Sequence, residues 1–218
     1  MNPQTLFYII IAILVFDFLF GLWLDYLNYK HRKTKIPKEL EGVYDEEQYR
    51  KQQEYKKVNT RFGFISGSFS FVVLMVFLLA GGLPWLDGIV RNITEHPILM
   101  ALVFFGILML ASDILGTPFS IYHTFVIEER FGFNKTTPKT FVLDKIKGWL
   151  LGILIGGGLL ALIIWIYFQF PDIFWIYAWI AITAFSVFMT LFYSNLIVPL
   201  FNKQTPLEEG ELRDAITD

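Results

Sequence analysis

From Phe62 to Leu86 the chain runs 25 residues without one charged side chain. Gly148–Pro171 does the same over 24 residues and Ile173–Asn202 over 30. An α-helix needs about 20 apolar residues to cross the hydrocarbon layer of a bilayer. Two further blocks, Thr5–Leu27 and Pro97–Tyr122, are as apolar apart from isolated acids, Asp17 and Asp25 in the first and Asp113 in the second. Core helices of soluble bundles seldom sustain such lengths. The blocks predict an all-α integral membrane protein with five transmembrane helices, at about 5–27, 62–84, 97–122, 148–170 and 174–200. The loops 28–61 and 123–147 are then the larger polar connections.

Composition agrees. Of 218 residues, 55% are hydrophobic and 17% charged, against about 25% charged in an ordinary soluble domain. A net charge of −2 offers no basic surface for phosphates, which excludes nucleic acid as a partner class. The absence of Cys removes disulfides, thiolate chemistry and Cys-type zinc sites. The first block does not read as a cleaved signal peptide, because no Lys or Arg precedes Lys30 and the apolar stretch is too long.

Basic residues set an expected orientation. Residues 28–61 hold 10 Lys and Arg, residues 123–147 hold 5 and the tail after Phe201 holds 2, whereas Pro84–His96 holds only Arg91. The positive-inside rule puts the 28–61 and 123–147 loops and the C-terminus in the cytoplasm, with the N-terminus outside. Between Lys38 and Arg61, acids and bases alternate at helical spacing (Glu47 with Lys51, Glu54 with Lys57), which predicts a solvated connecting helix along the membrane surface.

Polar groups within a bilayer face protein or water, since hydrocarbon satisfies none of them. A carboxylate at mid-bilayer costs about 2.5–3.5 kcal/mol even on the gentler scale. Asp17, Asp25 and Asp113 therefore point to a polar or wet interior. On the third helix Gly106, Asp113, Gly116 and Ser120 share a face. On the fifth, Thr183, Ser186, Thr190 and Ser194 do so, with Asn195 following. Asp17, Asp113, Thr183, Ser186, Thr190 and Ser194 are the candidate lining of such an interior. Gly148, Gly152 and Gly156 give the fourth helix a small-residue face that permits close backbone approach.

The residues show no active site of their own. His31, His96 and His123 form no i,i+4 pair, and neither H-E-x-x-H nor G-x-S-x-G occurs. Two polar segments are more specific. "FVIEERFGFNKTTPKTFVLDKIKGWL" joins the third and fourth helices, with Thr140 as an expected helix cap. In "YSNLIVPLFNKQTPLEEGELRDAI", Pro199 kinks or ends the fifth helix, and Thr205-Pro206-Leu207-Glu208 has the form of a capping box. The helix it opens has barely a dozen residues before Asp218, so residues 1–202 read as a membrane domain and 203–218 as the start of a truncated cytoplasmic domain.

At these segments the chain resembles the type I CAAX prenyl endopeptidases, integral-membrane zinc metallopeptidases, from the first helix to Ile216. "EERFGFNK" and "PLFNKQTPLEEGELR" carry the resemblance. It implies a larger helical barrel around a water-filled chamber, with a cytoplasmic zinc domain after the fifth helix. In the family that domain holds H-E-x-x-H and a later Glu ligand. None of these lies in the present residues, so no catalytic or metal-binding residue is expected here, and the chain alone is expected to bind no zinc and to be inactive. The implied partners are the lipid bilayer, the C-terminal zinc domain and a peptide or prenylated protein substrate. Glu128, Glu129, Arg130, Phe133, Asn134 and Lys135 are expected to fix the loop at the chamber mouth. Asn195, Pro199, Phe201, Asn202 and Pro206 are expected to set the exit of the fifth helix. A bacterial inner membrane is favoured over endoplasmic reticulum. The competing expectation is a non-enzymatic scaffold or small-molecule transporter using Asp17, Asp25 and Asp113, although no inverted repeat supports it.

Overall fold

The computed structural model describes residues 2–31, 36 and 45–203, and every element among them is helical. Five helical stretches are long and apolar enough to cross a membrane: Pro3–Lys30, Glu46–Leu79, Pro97–Phe131, Pro138–Gln169 and Pro171–Phe201. Large apolar side chains stand exposed all along them, Phe16, Ile65, Leu154 and Trp175 at 66–76%, as expected of helices whose outer solvent is lipid. The chain divides into two compact units, Met1–Glu95 with Val103–Thr137 and His96–Leu102 with Pro138–Asp218.

In the first unit, α1 (Pro3–Lys30) opens on Pro3, and the Asn2 side chain accepts a hydrogen bond from the Gln4 amide at 3.0 Å. At its other end His31 donates from Nδ1 to the Leu27 carbonyl at 2.9 Å. This histidine therefore helps to close the helix. α2 (Glu46–Leu79) begins at Asp45, whose carboxylate accepts from the Gln48 amide at 2.8 Å, with Glu46 and Glu47 at the positive end of the helix dipole. Its 34 residues rise about 51 Å, well beyond a hydrocarbon layer of about 30 Å.

That length corrects the expected boundaries. In place of a loop over 28–61 with a separate surface helix, residues 46–61 are continuous with the span that follows. Neither Gly nor Pro interrupts Glu46–Phe62, and its Glu, Gln, Lys and Arg are good helix formers. The far end stops at Leu79 instead of residue 84. Gly81 takes φ +75°, a left-handed backbone that favours glycine, and α3 (Gly82–Ile93) starts anew. The segment read as an external loop is thus an amphipathic helix with Gly82, Leu86 and Val90 buried. On its exposed side Arg91 donates to Asp87 at 2.7 Å, and this hydrogen bond to the carboxylate pushes the guanidinium pKa up. α1 and α2 pack through Phe18 stacked on Phe71, with ring centroids 3.9 Å apart, and through Arg61 donating to the Tyr29 hydroxyl at 2.9 Å.

α4 (Pro97–Tyr122) contains Pro118 and passes into a π-helical turn, His123–Glu128, before a last α-helical turn, α5 (Glu129–Phe131). In the second unit α6 (Pro138–Leu151) begins at Pro138, a residue pre-organised for the first helical turn, so Thr140 lies inside the helix and does not cap it. A second π-helical turn, Gly152–Gly156, leads into α7 (Gly157–Gln169). Phe170 and a 3-10 turn, Pro171–Ile173, reverse the chain into α8 (Phe174–Leu196), and Val198–Phe201 forms α9. Pro199 has no amide hydrogen to continue α8, which explains the break at Ile197, two residues before it. A Cβ added at Gly148 or Gly156 would meet nothing within 4 Å among the described residues, and one at Gly157 would touch Leu102 at 3.7 Å. The close approach expected at the Gly148 and Gly156 positions is not made within the described chain.

Candidate functional site

Most of the specific polar chemistry gathers where α2 passes the end of α4. In an α-helix, residues five apart point about 140° away from each other. The π-helical turn closes i to i+5 instead and brings His123 and Glu128 onto one side. Their side chains approach to 3.6 Å between Nε2 and Oε1. The same Glu128 oxygen accepts a short hydrogen bond from the Tyr55 hydroxyl on α2. One turn along α2, Asn59 donates from Nδ2 to the Tyr55 carbonyl at 3.1 Å and presents Oδ1 to His123 Nε2 at 2.8 Å. Since that Asn59 atom is an acceptor, the imidazole donates from Nε2.

The turn after Phe131 is a Schellman motif. Gly132 at φ +78° donates to the Glu129 carbonyl at 3.1 Å, and Phe133 donates to the Glu128 carbonyl at 2.9 Å. This reversal brings both Phe131 and Phe133 against Tyr55, with edge-on ring contacts at 5.2 and 5.0 Å. Phe131 is buried. Arg130 reaches back to Glu54 at 2.7 Å, and Asn134 donates to Glu129 at 2.8 Å while accepting from the Thr136 amide at 2.8 Å. The Arg130–Glu54 pair is more than half exposed, so its net worth is about 0–1 kcal/mol. Glu128, at 19% exposure, and the Tyr55 ring dominate the joint.

Of the residues singled out in this loop, Glu128, Glu129, Arg130, Phe133 and Asn134 are brought together, and Lys135 lies exposed beside them. Glu54, Tyr55, Asn59, Phe131 and His123 complete the joint and were not expected in it. In the second unit Lys147 holds the exit of the last span. It donates to the Leu200 carbonyl at 2.9 Å, contacts Asp144 at 3.3 Å and lies 5.5 Å from the Phe201 ring centroid. Pro199 is in the first turn of α9, Asn202 ends it, and Asn195 is exposed near the end of α8. Pro206, with the capping box and the rest of 204–218, lies outside the described residues.

Asp17 and Asp25 are exposed on α1, and Asp113 is half-buried on α4, where its carbonyl accepts from Thr117 at 2.7 Å. On α8, Ala181, Phe185, Phe188 and Phe192 line an apolar groove of about 590 Å³ against Leu159 and Leu162 of α7. Thr183, Ser186, Thr190 and Ser194 lie on the other side of that helix and are exposed. Among the described residues no group of three His, Cys, Asp or Glu side chains could hold a metal ion. The described residues therefore offer no donor set that fits a zinc centre.

The fold and sequence find close counterparts. Residues 25–203 match the family described as CAAX prenyl protease N-terminal, five membrane helices. The chain belongs to that family. It is 38% identical over 216 residues to the CAAX prenyl protease 1 homolog of Oryza sativa, covering 94% of this chain and 51% of the relative. To the mouse CAAX prenyl protease 1 homolog it is 35% identical over 217 residues, covering 94% and 46%. The crystal structure of S. mikatae Ste24p matches with a TM-score of 0.88 at 30% identity, over 100% of this chain and 52% of that one. The chain thus spans about half the length of these relatives. It is a multi-pass membrane domain of the CAAX-protease type, which displaces the transporter expectation.

Proposed function

We propose that this domain supplies the membrane wall and cytoplasmic mouth of a zinc endopeptidase that cleaves prenylated or other membrane-associated peptides. The match to Ste24p over the whole chain carries the reading. Asp17, Asp113, Thr183, Ser186, Thr190 and Ser194 would line a polar chamber, the exposed hydroxyl face of α8 being suited to water and not to lipid. Glu128, Glu129, Arg130, Phe133, Asn134 and Lys135 would hold the mouth through the Tyr55 joint. Asn195, Pro199, Phe201, Asn202 and Pro206 would set the exit toward the zinc-bearing part of the family protein, and peptide hydrolysis belongs to that part. The relatives described are eukaryotic and lend no support to a bacterial inner membrane over endoplasmic reticulum.

The 218-residue chain is expected to show neither stoichiometric zinc by elemental analysis nor turnover of a prenylated peptide. Stoichiometric zinc together with turnover would sink the proposal. The proposed orientation puts the basic loops in the cytoplasm. Because the native chain has no Cys, a single thiol reports without background. Lys139→Cys is expected to react with an impermeant maleimide only after permeabilisation, and Asp172→Cys in intact cells or sealed right-side-out vesicles. The reverse pattern refutes the orientation.

A further inference from the structure

Away from the Tyr55 joint, α1 and α2 flank an open polar cleft of about 380 Å³, lined by Asp25 and Asn28 from α1 and by Gln53, Lys56 and Thr60 from α2. That volume lies within the range of small-ligand sites, about 300–1,000 Å³. Asp25 and Asn28 are three apart, and Gln53, Lys56 and Thr60 follow at three and four, so each helix turns one face to the cleft. Gln53 is the decisive residue. It is only 9% exposed, lines the cleft, and its side-chain amide makes no hydrogen bond among the described residues. A buried amide left without a partner is unfavourable, and a ligand that bonds it recovers that loss. Asp25 and Lys56 supply opposite charges to the same space without forming an ion pair with each other.

We infer that this cleft binds the zwitterionic headgroup of a phosphatidylethanolamine-type lipid. The Lys56 ammonium and the amide hydrogens of Gln53 and Asn28 suit the phosphate. The Asp25 carboxylate suits a primary ammonium. Thr60 already donates its hydroxyl hydrogen to the Lys56 carbonyl at 2.8 Å, so it faces the ligand as an acceptor. No aromatic ring lines the cleft, which disfavours a quaternary ammonium, whose usual recognition is an aromatic cage. Depth agrees with a lipid source. Asp25 sits in the last turns of α1, where exposed Trp23 and Tyr26 mark the kind of aromatic belt found at headgroup level. Exposed Phe20, Trp23 and Leu24 on the same stretch of α1 offer an apolar surface for acyl chains.

The test uses the intact 218-residue chain in detergent, titrated with defined lipids and read by native mass spectrometry and thermal unfolding. Phosphatidylethanolamine is expected to bind more tightly than phosphatidylcholine or phosphatidylglycerol and to raise the unfolding temperature. Lys56→Ala and Gln53→Leu are each expected to weaken it about tenfold, the scale of one lost charge-assisted hydrogen bond. Gln53→Glu places a negative charge against the phosphate and is expected to weaken it at least as much. Lys56 is exposed, so its variant remains informative if a Gln53 variant misfolds. Equal affinity for the three lipids, or unchanged binding by Lys56→Ala, overturns the inference. Binding of water-soluble phosphoethanolamine as tight as that of the lipid overturns the lipid source.

Discussion

Tyr55→Ala is expected to destabilise the first unit by about 2–4 kcal/mol, below the full range for aromatic-to-alanine changes in a core because the ring is half-buried. Three losses combine. The ring leaves a gap against Phe131 and Phe133. The hydroxyl donor to Glu128 disappears. The Glu128 carboxylate, at 19% exposure, is left facing His123 alone. Tyr55→Phe separates the terms. It keeps both ring contacts and removes only the hydrogen bond, which predicts a smaller loss of about 1.5–3 kcal/mol. A double-mutant cycle of Tyr55→Phe with Glu128→Gln, read by reversible unfolding in mixed micelles, should give a coupling energy of at least about 0.5 kcal/mol, as for residues in direct contact. Additive effects would show that the joint is two independent contacts. In the family protein, loosening this joint is expected to lower peptidase activity even where zinc content is unchanged.

The Tyr55 joint also shows what the sequence made legible and what it hid. The five spans were readable because uncharged runs such as Phe62–Leu86 have one stable solution in a bilayer. The loop "EERFGFNK" stood out by residue type, and Gly132 takes the left-handed backbone that a glycine between two aromatics suggests. Its partners did not stand out. Glu54 and Tyr55 are 76 and 73 residues from the side chains they meet, and local spacing carries no information about such pairs. Glu54 looked like the i,i+3 partner of Lys57 and instead bonds Arg130. The π-helical turn that aligns His123 with Glu128 leaves no compositional mark. For residues 46–61 a helix was expected, and the error lay in separating it from the span that follows. A membrane helix continues beyond the lipid wherever its backbone bonds and propensities allow, and hydropathy marks the boundary of the hydrocarbon, not the end of the helix. The polar face of α8 is half legible: its period was correct, but periodicity alone does not tell what the face meets.

Gly82→Val is expected to be the most disruptive single change in the α2–α3 corner. An ideal Cβ at this position would fall 2.3 Å from Phe77 Cδ2, 2.4 Å from Cε2 and 2.6 Å from the Phe77 carbonyl oxygen. The ring has rotamers into which it can move. The carbonyl belongs to α2 and can retreat only if the last turn opens. Gly81 is already committed to φ +75° to make the reversal, so it cannot absorb the shift without losing the turn. Overpacking of a tight core costs about 1–3 kcal/mol when side chains alone adjust, and a backbone contact places this variant at or above the upper end. Gly82→Ala adds the same Cβ against the Phe77 carbonyl and should already reach the upper part of that range, Gly82→Val should exceed it, and Gly88→Ala should cost almost nothing, since a Cβ at Gly88 meets nothing within 4 Å. The corner seats Leu86 and Val90, at 2% and 1% exposure, so its failure should expose α3 to limited proteolysis after Leu79 before the other spans unfold. A protease pattern unchanged in Gly82→Val, with an unfolding midpoint equal to that of Gly88→Ala, would show that α2 can end elsewhere at no cost.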